Sequence, residues 1–295
     1  MTGIQVGTAP VNWNNGDLPG WRTPTPFPQI LDEMAAAGYA GTEHDRQFPD
    51  DSATLRAALA ERGLALCASY QWLRLSAETG IEADLSALDA ILDMLVAVGC
   101  DTLIVADAMT PERIALAGRI PADGSAGLDD TGWVRLSENL TRVASRAAAR
   151  GVRTCYHNHV GSYVESPGEC ARLIDLLPGT GGVLCFDTGH YAYGGGDPTE
   201  FVREQSDLIG HLHLKDVDPD ILAQARREGW SFIDALREIV FCPFGTGMVD
   251  ILAIVRALQA AAFDGWVVVE QDTCLGDPTE RATAHRSYLR SCCGI

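Results

Sequence analysis

The chain has 295 residues, ordinary apolar content and a formal charge of -18, from 22 Lys plus Arg against 40 Asp plus Glu. That length buries a substantial core, and that charge repels a nucleic-acid backbone, so the expected ligands are small neutral molecules or molecules held through a metal. The most apolar stretches are strand-sized or broken by Gly and Asp, which argues against a membrane span; Met1–Pro10 lacks the pattern of a secretory signal, and nine cysteines without a C-x-x-C pair suit a reducing, cytoplasmic setting.

Ile4–Ala9 reads as a first strand stopped by Pro10. The stretch Val11–Pro28 is crowded with Asn, Gly and Pro and cannot be regular. It carries Trp13 and Trp21, costly to leave in water, and is expected to lie over a mouth or pack against a neighbouring subunit. Phe27–Ala37 has helical spacing and stops at Gly38. Tyr39–Glu43 supplies strand two, and Ser52 is a candidate cap for the helix Thr54–Arg62, closed by Gly63. Leu64–Ser69 is strand three, Ile81–Val98 an amphipathic helix ending at Gly99, and Thr102–Ala106 strand four. Pro111–Gly132 is a Gly-rich excursion before the helix Val134–Arg150. Strand five, Val152–Tyr156, leads to a helix near Gly168–Leu177, and strand six, Val183–Phe186, to a helix over Asp197–Gln205. Strand seven, Ile209–Leu214, precedes a long connection, Ile221–Val240, broken at Gly229 and Trp230. The helix Val249–Ala262, strand eight at Trp266–Val269 and the helix Thr279–Leu289 follow, with Cys292 and Cys293 in a loose tail.

Eight strands alternating with helices predict an α/β protein, a single (β/α)8 TIM barrel over residues 1–295 with an extended first loop at 11–28. A doubly wound open sheet is disfavoured, because Pro10-Val11-Asn12 follows the first strand where a Gly-rich phosphate turn would open a helix. The cadence of helix, Gly and strand recurs at Gly38, Gly63, Gly99 and Gly151, where small residues let the chain turn sharply.

Chemically versatile residues gather where the strands end, the rim at which such barrels carry reactions. A period of two puts Cys155, His157 and His159 on one side of strand five, Cys185 with Asp187, His211 with His213 and Lys215, and Val268 with Glu270. Asp187, His213, Glu270 and either His157 or His159 form an N/O shell suited to Mn²⁺, Co²⁺, Zn²⁺ or Fe²⁺. His190 is a candidate proton shuttle, against a loop histidine that only satisfies a carbonyl. Lys215 is a candidate to steady an enolate or alkoxide, against a surface Lys–Asp turn. Glu43 is a candidate proton acceptor or clamp for sugar hydroxyls, against a structural salt bridge. Gln71 and Trp72 are candidates to line the pocket. The glycine turns at 193–197 and 244–247 offer weak anion cradles, lacking the P-loop Lys-Ser/Thr, and no G-x-S-x-G elbow is present.

The segments Gly7–Trp13, Ala37–Glu43, Cys155–Ser162, Cys185–His190, Ile209–Asp216 and Phe244–Asp250 resemble the xylose-isomerase-like TIM barrel superfamily, and the first and third point more narrowly to its inosose dehydratase branch. The resemblance spans nearly the whole chain and implies a metal-binding lyase of myo-inositol catabolism, with a cyclic polyol or keto sugar as its small-molecule partner. Asp187, His213 and Glu270 are then ligands of a divalent metal, Mn²⁺ or Co²⁺ foremost. Many isomerase and epimerase relatives have a glutamate on strand five where this chain has His157, so the fourth ligand is His157, His159 or Glu165 reaching in from the loop. The implied reaction is dehydration of 2-keto-myo-inositol (scyllo-inosose), or a close relative, through a metal-stabilised enolate, with His190 or Glu43 handling protons, Lys215 stabilising negative oxygen, and Trp13, Gln71, Trp72 and His159 against the substrate. The alternatives are a metal-dependent keto-sugar isomerase or epimerase, a keto-glycoside lyase, and a non-catalytic sugar-binding barrel. The tryptophan-bearing loop makes a homo-oligomer worth testing.

Overall fold

The structure, a computed structural model, describes residues 3–49 and 51–295, so Met1 and Thr2 of the Met1–Pro10 stretch lie outside the described residues. Eight parallel strands close into a barrel: β1 (Gln5–Thr8), β2 (Gly41–His44), β3 (Ala65–Leu73), β4 (Thr102–Asp107), β5 (Arg153–His157), β6 (Val183–Asp187), β7 (Ile209–Leu214) and, last in the chain, β10 (Trp266–Val269), which pairs with both β7 and β1. The eight strand positions expected from the sequence all carry barrel strands. A short antiparallel pair outside the barrel, β8 (Asp216–Val217) with β9 (Phe241–Cys242), was not expected.

The helices are α1 (Phe27–Ala37), α2 (Ser52–Ala60), α3 (Ile81–Val98), α4 (Pro111–Leu116), α5 (Asp130–Ala148), α6 (Pro167–Thr180), α7 (Thr188–Tyr193), α8 (Pro198–Gln205), α9 (Pro219–Glu228), α10 (Phe232–Arg237), α11 (Ile251–Ala260) and α12 (Pro278–Tyr288). Local chemistry sets their ends. Asp51, not Ser52, caps α2 by accepting from the Thr54 amide, so that helix starts two residues earlier than the apolar pattern suggests. The excursion after β4 is not wholly irregular: Thr110 caps α4 and Pro111 opens it, while Asp129 caps α5 ahead of the expected Val134. Ile221–Val240 resolves into α9 and α10, separated at Gly229 as anticipated. The final residues are not a loose tail. Leu289–Cys293 continues α12 as a wider helical turn, with Cys293 buried and Cys292 exposed.

Gly38, Gly63, Gly99 and Gly151 all have φ between 65° and 84°, the left-handed conformation that ends a helix and turns the chain into the next strand. Apolar residues fill two spaces. Helix faces such as Ile30, Leu31 and Met34 of α1 pack on the outside of the barrel, each contributing about 1.5–3 kcal/mol by burial. A separate buried cluster is formed by the strand residues Ala68, Ile104, Cys155 and Cys185. Among the described residues no helix is long and apolar enough to cross a membrane.

Candidate metal centre and cavity

The pairing of β6 with β7 sets Cys185 beside His211 and Asp187 beside His213, while β10 sets Val268 against His213 on the other side. Because side chains alternate, Asp187, His213 and Glu270, two residues beyond Val268, end up on the same interior side. Register shifts between Thr42 and Glu43, and between Leu184 and Cys185, lie just below them; such irregularities re-aim side chains at barrel rims.

Four donor atoms converge there. His157 Nε2 is 3.1 Å from His213 Nδ1 and 3.4 Å from Asp187 Oδ2. His213 Nδ1 is 3.7 Å from Asp187 Oδ2 and 3.3 Å from Glu270 Oε2. Ligands held at about 2.0–2.2 Å around one ion are separated by roughly 3–3.5 Å, so the donors suit a shared cation. Asp187 Oδ2 is sealed from solvent and has no hydrogen bond, its neighbours being His157, Lys215 and His213 at 3.4–3.7 Å, and an ion is one partner that would satisfy such an oxygen. Asp187, His213 and Glu270 form one compact donor group, and His157, His213 and Cys185 form another. The set fits a divalent ion of nitrogen-tolerant type.

Beneath the donors, Glu43 Oε1 accepts from His213 Nε2 at 2.8 Å and from His211 Nε2 at 2.9 Å. Burial raises the Glu43 carboxyl, but the His213 charge and the two histidine hydrogen bonds outweigh it and hold the group ionised. Burial likewise opposes charge on Asp187, and the Lys215 ammonium is foremost among the groups that more than offset it. Lys215 Nζ is 2.7 Å from Asp272 Oδ1, 3.0 Å from Glu270 Oε2 and 3.4 Å from Asp187 Oδ2, and it donates to His190 Nε2 at 3.2 Å. The surface Lys–Asp turn is therefore excluded, since Lys215 and Asp216 are both buried. His190 is not on a loop but within the one-turn helix α7, which Asp187 caps through the His190 amide. Burial, with the Lys215 ammonium beside it, keeps its imidazole neutral.

A cavity of about 440 Å³ opens above these groups, bounded by His157, His159, His190, Lys215, Glu270 and Glu43, by Tyr70, Gln71 and Trp72, and by Asn14, Asn15 and Asp17 of the first loop. His159 rests edge-on to Trp72 with ring centres 4.7 Å apart, and its Nδ1 is 2.6 Å from the Val160 carbonyl. It stands on the wall, outside the donor groups.

Two sequence expectations fail. Trp13 does not cover the mouth: it is 1% exposed, and its indole donates to Glu33 of α1 at 2.6 Å, with Thr279 of α12 at 3.4 Å. The ring thus anchors the first loop from below. Glu165 does not reach the donors either. Its carboxylate accepts from the Gly118 and Gly161 amides at 2.6 and 2.8 Å and lies 3.9 Å from buried Arg113, which is itself bidentate to Glu169 at 2.8 Å. Burial pushes Glu165 up to about 7. At the 244–249 glycine turn an internal carboxylate stands where an anion was expected. Asp197 caps α8, and Asp216 fills the 244–249 turn, accepting from Gly245, Gly247 and Val249 amides at 3.0–3.1 Å. Sequence reasoning overlooked Asp272 and Asp17, which stand on loops where no period marks the side that faces inward.

A family model described as xylose isomerase-like TIM barrel matches residues 31–292. The inosose dehydratase of Geobacillus thermodenitrificans is 31% identical over 99% of this chain and 98% of its own length, and that of Geobacillus kaustophilus 33% over 97% and 94%. Among solved structures, a probable 3-DHS dehydratase from Bacillus anthracis superposes with a TM-score of 0.75 at 10% identity, covering 97% of this chain and 99% of that one. The 3-keto-D-glucoside 4-epimerase of E. coli gives 0.71 at 18%, covering 98% and 100%. At these identities the structural likenesses show the fold alone.

Proposed function

Because the chain belongs to the inosose dehydratase branch of the xylose isomerase-like TIM barrel family, we propose that it is a metal-dependent hydro-lyase that removes water from 2-keto-myo-inositol or a closely related cyclic keto polyol. The observation that carries the reading is the convergence of His157, Asp187, His213 and Glu270 at the floor of one cavity, with an unsatisfied Asp187 oxygen among them. These four residues would hold the ion, Mn²⁺ or Co²⁺ before Zn²⁺ or Fe²⁺. A divalent ion there supplies the Lewis acidity that makes a C–H beside a ketone acidic.

The protein's own groups do the rest. Glu43 fixes the His213 ring through Nε2 and leaves Nδ1 facing the donors. This supports an orienting role for Glu43 in place of proton transfer. His190, neutral and beside the cavity, accepts the proton from the carbon α to the ketone. The Lys215 ammonium, next to His190 Nε2, stabilises negative charge growing on oxygen. The β C–O bond breaks as the departing hydroxyl takes up the proton that His190 accepted and leaves as water, and the resulting enol tautomerises to a dione. Gln71, Trp72 and His159 bound the ring's space. The cavity walls carry carboxylates and few cations, which suits a neutral polyol.

The test is product mass after incubation with scyllo-inosose, on protein stripped of metal and then given Mn²⁺ or Co²⁺. We expect the loss of one water, restored by metal and abolished in His213→Ala. A product of unchanged mass with altered stereochemistry would favour an epimerase, and full turnover by stripped His213→Ala would refute the metal role.

A further inference from the structure

The first loop reaches the cavity with three polar side chains, Asn14, Asn15 and Asp17. Two of them are spent internally. Asn14 donates to the Thr25 carbonyl and to Gln47 Oε1, and its own carbonyl accepts from the Thr25 amide, at 2.7–2.8 Å. Asn15 donates to the Asp272 carbonyl at 3.0 Å and accepts from the Asp17 amide at 2.8 Å. The Asp17 carboxylate makes no hydrogen bond among the described residues. Its nearest cations act only through space, Lys215 across the cavity and exposed Arg46. Tyr70 Oη also lacks a partner, but it is sealed from solvent.

The loop is held so that Asp17 stays there. Trp13 is locked below, Leu18 is buried directly after it, and Arg22 donates to the Cys274 carbonyl at 2.8 Å. Half-buried at the cavity wall, this carboxylate takes no donor from the protein, so water or a ligand supplies them. Ionised, it only accepts. It therefore binds free hydroxyls, gains nothing from ethers or carbonyls, and repels anions.

We propose that Asp17 reads the substrate's hydroxyl pattern, accepting hydrogen bonds from ring hydroxyls that project toward the first loop while the ketone end faces the donor cluster. The assignment rests on the keto-polyol reading above. It gives the first loop, alongside Gln71, Trp72 and His159, a part in telling one cyclic polyol from another.

The experiment uses the metal-loaded full chain and a panel of cyclic keto polyols, each lacking one ring hydroxyl or carrying it as a methyl ether. Wild-type protein is expected to lose about 10- to 100-fold in kcat/KM for the one or two members altered at the hydroxyls facing Asp17, the worth of a hydrogen bond to a charged acceptor. Asp17→Ala is expected to lose a similar factor on the parent compound and to be indifferent to those same members, while penalties at other positions remain. Asp17→Asn, which keeps the shape, should lie between. An unchanged penalty pattern in Asp17→Ala overturns the proposal. The same panel as reduced, unreactive cyclitols, measured by calorimetry, decides the matter independently of turnover. Absent turnover with an Asp17-dependent binding pattern would remove the dehydratase reading and keep this one; turnover with an Asp17-independent pattern would do the reverse.

Discussion

Glu43 Oε1 lies 2.8 Å from His213 Nε2 and thereby commits the other nitrogen of that ring to the donor cluster. Such outer partners typically contribute about 10–100-fold to metal affinity. Glu43→Ala is expected to bind Mn²⁺ or Co²⁺ weaker by that factor in equilibrium dialysis. Saturating metal should then restore much of kcat. If Glu43 were the proton acceptor, added metal would leave kcat depressed by orders of magnitude.

The fourth donor is separable by a pair of variants. His157 Nε2 is 3.1 Å from His213 Nδ1, whereas the nearest Nδ1 partner of His159 is the carbonyl of its neighbour. His157→Ala should weaken metal retention at least as much as an outer-partner loss, about 10-fold or more. His159→Ala should leave retention within error and raise KM instead. Equal metal loss in both would show that the cluster is drawn wrongly.

Arg113 joins Glu169 and Glu165 in a buried charge group that ties the excursion after β4 to the loop following β5. Removing one member leaves uncompensated buried charge, at about 3–5 kcal/mol. Arg113→Ala should show that loss in urea unfolding at neutral pH. Because Glu165 takes up its proton near 7, the loss should shrink as the pH is lowered toward 6.

Acid should act on the fold through His285 of α12. The ring stacks on Phe244, with centres 4.3 Å apart, and neither nitrogen has a hydrogen bond. Burial, helped by Arg281, lowers it from 6.5 to about 4. Between those values the unfolded chain binds more protons than the folded one, so stability is full above about 6.5 and falls as the pH drops toward 4. His285→Phe should lose less over that window than wild type, by up to about 3 kcal/mol. Parallel stability–pH curves for the two proteins would refute this.

The barrel was legible because strand and helix periods differ and glycines punctuate them; Gly38, Gly63, Gly99 and Gly151 mark the turns where φ must be positive. The floor of the site was legible for the same reason. His157, Asp187 and His213 lie on or end their strands, and alternation fixes which way they face. Loop residues carry no such rule. Asp17 and Asp272 reach the cavity, and Trp13 is drawn away from it, because of where distant helices leave space. Glu165 lay beyond reach of sequence for a related cause: its partners Gly118 and Arg113 are some fifty residues away in the chain.

Asp216 occupies the turn formed by Gly245, Gly247 and Val249, close to where (β/α)8 enzymes acting on sugar phosphates commonly seat the phosphoryl group. With an internal carboxylate already neutralising those amides, a phosphorylated metabolite would have to evict part of the scaffold before it could dock. This turn is thus closed to an outside anion, and inorganic phosphate is expected not to compete with substrate through it.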